Sequence, residues 1–325
     1  MRVLEVSEYG GPEVLRIARR PDPGPVPGRL RVRMHATAVN PADWVVRSGA
    51  MAAFTPDLAP PIVLGWDIAG TLLDDGPGPD GTAGFPEGAP GGGFRAGQRV
   101  VGLLPKARVG AAEGSNAEIV LAEPEWLAPV PEGADLTALA TVPLNALTAR
   151  QALDLLDYSP GDPVLVTGAS GGVGGFATQL AAADGARVIA VASTGDEAYV
   201  KGLGAAHVLS RAEPAALAAA VREHAPDGVV AVLDAAVLGQ PLLPAVRAGG
   251  SFVSATMSTP EPERDIRVRV VYVAPDPARL AEFVERVVRG ELSTRIAAEF
   301  PIEQGAEAHR RAQAGGARGK ILLTF

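Results

Sequence analysis

"LVTGASGGVGGFATQL", residues 165–180, decides the fold. An apolar run leads up to Thr167, five glycines fall within residues 168–175, and an apolar stretch with helical spacing follows. Glycine allows a tight turn and lets a ligand come close to the main chain. A helix starting near Gly172 aims unpaired N–H groups and the positive end of its dipole at that turn. Both favour a pyrophosphate. Gly168, Ser170, Gly171, Gly172 and Val173 are therefore the expected phosphate-binding residues. The competing reading is a glycine turn that only packs helix on strand. The position of the turn, between a strand and a helix at the head of a β-α-β series, favours the dinucleotide.

Outward from the turn, strands alternate with helices. Strands are expected at 163–167, 187–192, 207–209, 228–235 and 250–256, and helices at 172–183, 196–203 and 214–225. Such a series implies a doubly wound parallel sheet. Just upstream, residues 135–156 have helical spacing broken at Pro143. Residues 1–125 are different: short strands at 29–40, 60–73 and 97–104, with a Gly/Pro-rich loop at 74–97. From about 265 the pattern is mixed, with a strand at 266–273, a helix at 277–290 and a last strand at 319–325. The fold class is α/β. Its expected parts are 1–125, a dinucleotide-binding domain at 126–264, and a returning part at 265–325.

Composition narrows the function. At 47% hydrophobic and 20% charged residues, the chain reads as a globular protein with sizeable cores. Its net charge of −8, without a Lys/Arg run, points away from nucleic acid and from a membrane surface. The first residues read as a strand rather than a signal peptide, so a cytoplasmic location is expected by default. Cysteine is absent, which removes disulfides, thiolate catalysis and Cys-ligated zinc. The four histidines, His35, His207, His224 and His309, show no ligand spacing, and each reads as a surface or core position. No metal is expected.

The second strand of the series ends Val191-Ala192-Ser193-Thr194. NAD sites usually place an acid there to bond the ribose 2′-OH. The hydroxyls of Ser193 and Thr194 suit a 2′-phosphate instead, and Arg211 after the third strand, with Lys201 as a weaker candidate, could supply positive charge. NADPH is the expected cofactor. Asp196 suits a helix N-cap. Simple turn chemistry is the alternative for Ser193 and Thr194, and a solvated surface charge for Arg211.

The stretches "AVNPADWVVRSG" (38–49), "VLGWDIAGTL" (63–72), "FRAGQRVVGLLP" (94–105), "VPLNALTARQAL" (142–153), the glycine turn and "AHRRAQAGGARGKILL" (308–323) carry a resemblance over nearly the whole chain. It resembles the zinc-independent quinone oxidoreductase branch of the medium-chain dehydrogenase/reductases. The resemblance implies a mostly β, GroES-like catalytic domain made from both chain ends around a central Rossmann domain. It also implies NADPH dependence and a homodimer. Zinc members of that superfamily carry Cys where this chain has Asn40, and Gly-His-Glu where it has Gly65-Trp66-Asp67. The implied activity is hydride transfer to a small-molecule quinone or to the activated C=C of a conjugated carbonyl, with hydrogen-bond donors stabilising the developing oxyanion.

By the resemblance, Asn40 lies near the nicotinamide and could donate to the substrate oxygen; alternatively it is a turn residue before Pro41. Tyr272 could supply a proton, or be a half-buried strand aromatic. Thr148 approaches the cofactor. Arg318 and Lys320 close over its phosphates, or form a charged surface turn. Gln98, Asn116 and Arg150 depart from the family's usual residues and bear on the substrate. Two other functions stay open: a dedicated enoyl reductase on a natural-product intermediate, and an NADPH-binding member of the fold without turnover.

Overall fold

The computed structural model describes residues 1–53, 55, 58–76, 93–105 and 110–325. The chain forms two compact units. The first contains Met1–Leu144, Ala274–Glu291 and Arg295–Phe325; the second contains Asn145–Val273 and Leu292–Thr294.

The first unit begins with β1 (Arg2–Val6), β2 (Leu15–Arg19), β3 (Leu30–Ala38), helix α1 (Pro41–Arg47), β4 (Ile62–Val63) and β5 (Asp67–Leu72). It continues through β6 (Arg99–Leu103), β7 (Ile119–Ala122), β8 (Leu127–Pro129) and α2 (Leu136–Leu139). The chain crosses to the second unit inside α3 (Pro143–Asp154). There it forms β9 (Pro163–Thr167), α4 (Gly172–Ala183), β10 (Arg187–Ala192), α5 (Glu197–Gly202), β11 (His207–Ser210) and α6 (Pro214–His224). β12 (Val229–Asp234), β13 (Val246–Ser254) and β14 (Arg267–Val270) complete that unit's strands. The return to the first unit consists of α7 (Pro277–Val288), β15 (Ile296–Pro301), α8 (Gly305–Gln313) and β16 (Lys320–Thr324).

In the first unit, β15, β16, β3, β5, β6 and β8 lie in that order, β7 pairs with β3, and β2-β1-β4 form a smaller sheet. β3 shows why this chain makes strands: Leu30, Val32, Met34 and Ala36 are buried while Arg33 and His35 point out. Beyond Ala36 the alternation stops and every residue to Ala38 is buried, because β16 and β5 flank that end. Pairing of Leu322 with Ala38 brings the C-terminal strand beside Val39 and Asn40. The run 60–73 is two strands rather than the single one expected. Gly65 separates them at φ +100°, where a Cβ would lie 2.3 Å from the Ser115 hydroxyl, so only glycine makes this bend.

The second unit is a wholly parallel six-stranded sheet, ordered β11-β10-β9-β12-β13-β14. Leu165, Ile189, Val232 and Phe252 pack one face against Leu217 and Val221 of α6. Each such side chain contributes about 2 kcal/mol of burial. The order reverses between β9 and β12, and in such sheets ligands bind outside the carboxyl ends at that switch.

Three expectations change. Where boundaries were expected at 125/126 and 264/265, the main crossings fall at 144/145 and 273/274, and residues 292–294 return briefly to the second unit. β8 pairs with β6 and so keeps residues past 126 in the first unit, whereas β14 pairs with β13 and joins the parallel sheet. The strand expected at 266–273 ends at Val270, so Tyr272 is not a half-buried strand residue; it is 72% exposed. Most of the loop read at 74–97 lies outside the described residues.

Candidate active site

In the second unit the turn is made by main chain. Gly168 stands at φ +64°, and the Gly171 N–H donates to its carbonyl at 2.8 Å. Gly171 is the N-cap of α4, extended and without a side chain, so the first turn of a twelve-residue helix is left uncovered. A Cβ on Gly174 would sit 2.3 Å from the Gly168 carbonyl oxygen, which is the close packing of helix on strand. A Cβ on Gly171 would meet only that same oxygen, at 3.2 Å. Gly174 therefore serves packing and Gly171 keeps a space open. These residues fit a pyrophosphate.

Neighbouring strand ends are tied to the turn. The Ser193 N–H donates to Ser170 Oγ at 3.1 Å, and the Ala169 N–H to the Val191 carbonyl at 2.9 Å. The Arg211 N–H donates to the Ala192 carbonyl at 2.9 Å, so Ser193, Thr194 and Arg211 share one edge with Ser170. Asp196 takes the N-cap position of α5. A second tie was missed from sequence. The Thr167 hydroxyl donates to buried Asp234 at 2.6 Å, Ala236 N–H donates to that hydroxyl, and Gly239 N–H donates to the other Asp234 oxygen at 2.9 Å. The available signal was an acid ending the apolar strand "VVAVLD". Thr148 is buried in α3, and among the described residues no hydrogen bond links it to the turn. The hydroxyl of Tyr272 has no partner among the described residues.

The first unit holds a buried polar cluster. Asn40 is fully buried at the N-cap of α1, and its N–H donates to Asp43 at 2.8 Å. Its Nδ2 donates to the Ala38 carbonyl at 3.1 Å and to Asp67 at 2.7 Å. Its Oδ1 accepts from Lys320 Nζ at 2.6 Å, and Lys320 also donates to the Val39 carbonyl at 2.9 Å. The second oxygens of Asp43 and Asp67 accept from the backbone N–H groups of Gly65 and Leu144, at 3.0 and 2.7 Å. Burial pushes Asp43 and Asp67 each up to about 6, against the pull of those hydrogen bonds and of Lys320. Burial also lowers Lys320, while the two carboxylates raise it.

This arrangement bears on two expectations. Both Nδ2 hydrogens of Asn40 are committed within the protein, so it has none left for a substrate oxygen. Lys320 donates its ammonium to Asn40 and to the Val39 carbonyl within the first unit, and exposed Arg318 lies two residues before it. The donor set, one amide, two carboxylates and an ammonium, does not suit zinc, because the ammonium would repel a divalent cation beside Asn40. Among the histidines, His309 is a core residue. It accepts from buried Arg47 at 2.8 Å, and burial followed by the Arg47 charge lowers its pKa to about 3, keeping it neutral.

The chain matches two family models, "Alcohol dehydrogenase GroES-like domain" over residues 26–132 and "Zinc-binding dehydrogenase" over residues 203–323. It is 30% identical to a quinone oxidoreductase of Pongo abelii, across 99% of this chain and 97% of that one. A pikromycin polyketide synthase component of Streptomyces venezuelae is 36% identical over 57% of this chain, which spans 4% of that protein. Among solved structures, an NAD-dependent alcohol dehydrogenase superposes with a TM-score of 0.85 at 31% identity, covering all of both chains. Among the described residues no helix is long and apolar enough to cross a membrane.

Proposed function

This chain belongs to the quinone oxidoreductase-like branch of the medium-chain dehydrogenase/reductase superfamily, oxidoreductases that bind a nicotinamide cofactor, and from that premise we propose that it is an NADPH-dependent, zinc-independent reductase of quinones or of the activated C=C of conjugated carbonyls. The observation that carries the zinc-independent reading is the Lys320–Asn40–Asp67 chain of hydrogen bonds. It puts an ammonium where zinc members of the superfamily keep a ligand sphere, and a site without a Lewis acid suits substrates whose double bond is already activated.

Bound NADPH supplies the hydride. The chain's own residues bind and orient it. Gly171, Gly172 and Val173 present the helix N-terminus to the pyrophosphate. Ser193, Thr194 and Arg211 receive the adenosine ribose and its 2′-phosphate. Thr167 and Asp234 keep the strand ends rigid beneath the cradle. Tyr272, exposed and unpartnered among the described residues, holds the proton for the reduced product at its phenol oxygen. Asn40 acts as a positioning residue that links Lys320 to Asp67.

The test is consumption of NADPH by chelator-treated protein with a panel of quinones and conjugated enones, set against saturated aldehydes. Turnover of the first two classes and not the third is the expected result. Restoration by zinc, or preference for the aldehydes, contradicts the reading. The similarity to a polyketide synthase component favours a second reading, a dedicated enoyl reductase. That enzyme would reduce a bulky conjugated ketone and leave simple quinones untouched.

A further inference from the structure

We propose that Glu197 restrains the preference for the phosphorylated cofactor, so that the second unit binds NADH and NADPH with affinities within about tenfold of each other. This rests on the reading above that the adenosine ribose lies at the carboxyl ends of β10 and β11. Glu197 is the first residue of α5. One of its carboxylate oxygens accepts from the Gly195 N–H at 2.8 Å, and the other from the Ser210 hydroxyl at 2.9 Å. Ser210 is the register partner of Ala192, and Arg211 is bonded to the Ala192 carbonyl. The carboxylate is thereby pinned across the ends of both strands, within four residues of Ser193 and Thr194.

Its hydrogen bonds, from its own N–H first and then from Ser210, hold its pKa below the usual glutamate value, so the group is ionised wherever the protein is folded near neutrality. A 2′-hydroxyl can donate to such an oxygen. A 2′-phosphate brings further negative charge towards it and is repelled. The Ser210 hydroxyl is committed to Glu197 and is not offered to a phosphate. Arg211, exposed and without an ion-pair partner among the described residues, pulls the other way. Glu197 and Arg211 at this edge offset each other, so neither cofactor is strongly excluded. The residue at the strand end is serine, so the usual place to look for an acid misses Glu197.

The test is E197Q in the full-length protein, titrated with NADH and with NADPH and followed by nicotinamide fluorescence. Glutamine keeps an acceptor for Gly195 and a partner for Ser210 but removes the charge. The expected result is wild-type Kd values within about tenfold, and a rise of about tenfold in the Kd(NADH)/Kd(NADPH) ratio in E197Q, with E197A moving the ratio the same way. A ratio unchanged within about twofold, or both affinities shifting by one factor, overturns the inference and leaves the cofactor reading standing. Failure of the wild type to bind either dinucleotide overturns both.

Discussion

The glycine turn of the second unit and the Asn40 cluster of the first are both built for polar work, by opposite means. The turn is made of main chain and of side chains left out: Gly168, Gly171 and Gly174 matter for what they lack. The cluster is made of side chains fully engaged: every side-chain polar atom of Asn40, Asp43 and Asp67 has a partner. The first arrangement fails when an atom is added, and the second when a charge is removed. The two kinds of failure have different readouts, which makes the contrast testable.

The largest effect is expected at Gly174. A methyl there meets three backbone atoms, at 2.3, 2.6 and 2.8 Å, none of which can rotate away. Gly174→Ala should cost about 3 kcal/mol of stability in denaturant titrations, since overpacking against main chain has no cheap relief. A loss under about 1 kcal/mol would show that α4 can shift, and would weaken the division of labour between these glycines. Gly171→Asp tests the other half. Its backbone is extended, aspartate is a good N-cap, and the fold should survive. A carboxylate facing the phosphates should lower dinucleotide affinity about a hundredfold by calorimetry. Unchanged affinity would remove the turn from the binding site.

In the cluster, Lys320→Met leaves two carboxylates without their cation. A loss of about 2 kcal/mol is expected at neutral pH. The loss should shrink as pH falls through about 6, where Asp43 and Asp67 take up protons. A constant loss would mean that the Lys320 stem, not its charge, matters.

An effect of comparable size is a slope. Asp67 has a folded pKa of about 6, against 3.8 for the unfolded group, so the native state binds more protons between those values. Its contribution therefore rises as pH is lowered from about 7 to about 4, and it is flat above that window. Wild type should gain on the order of 2 kcal/mol relative to D67N over the window, measured by denaturant midpoints at each pH. Parallel curves for the two proteins would contradict the raised pKa.

The same contrast explains what could be read from sequence. The turn occupies seven consecutive residues, and strand, glycines and helix announce themselves locally. β9, α4 and β10 accordingly lie where spacing put them. The cluster joins residues 40, 43, 67 and 320, and only the pairing of β16 with β3 brings the last to the first. Sequence could single out Asn40 and Lys320 one at a time, each for a ligand. It could not reveal that they satisfy each other. The unit boundaries were misplaced for a related reason: β8 and β14 are short and unremarkable alone, and their membership is decided by which strand they pair with. Glu197 escaped notice because its position matters only once β11 lies beside β10.

The central claim is hydride transfer from a nicotinamide to an activated acceptor without zinc. It is tested most directly by incubating chelator-treated protein with NADPH deuterated at the transferable position and a panel of conjugated enones and quinones, then locating the label in the products by mass spectrometry. The account predicts deuterium on the carbon β to the carbonyl of a reduced enone, or oxidation of the labelled cofactor with quinone acceptors. Deuterium on a carbonyl carbon, appearing only when zinc is restored, would contradict it.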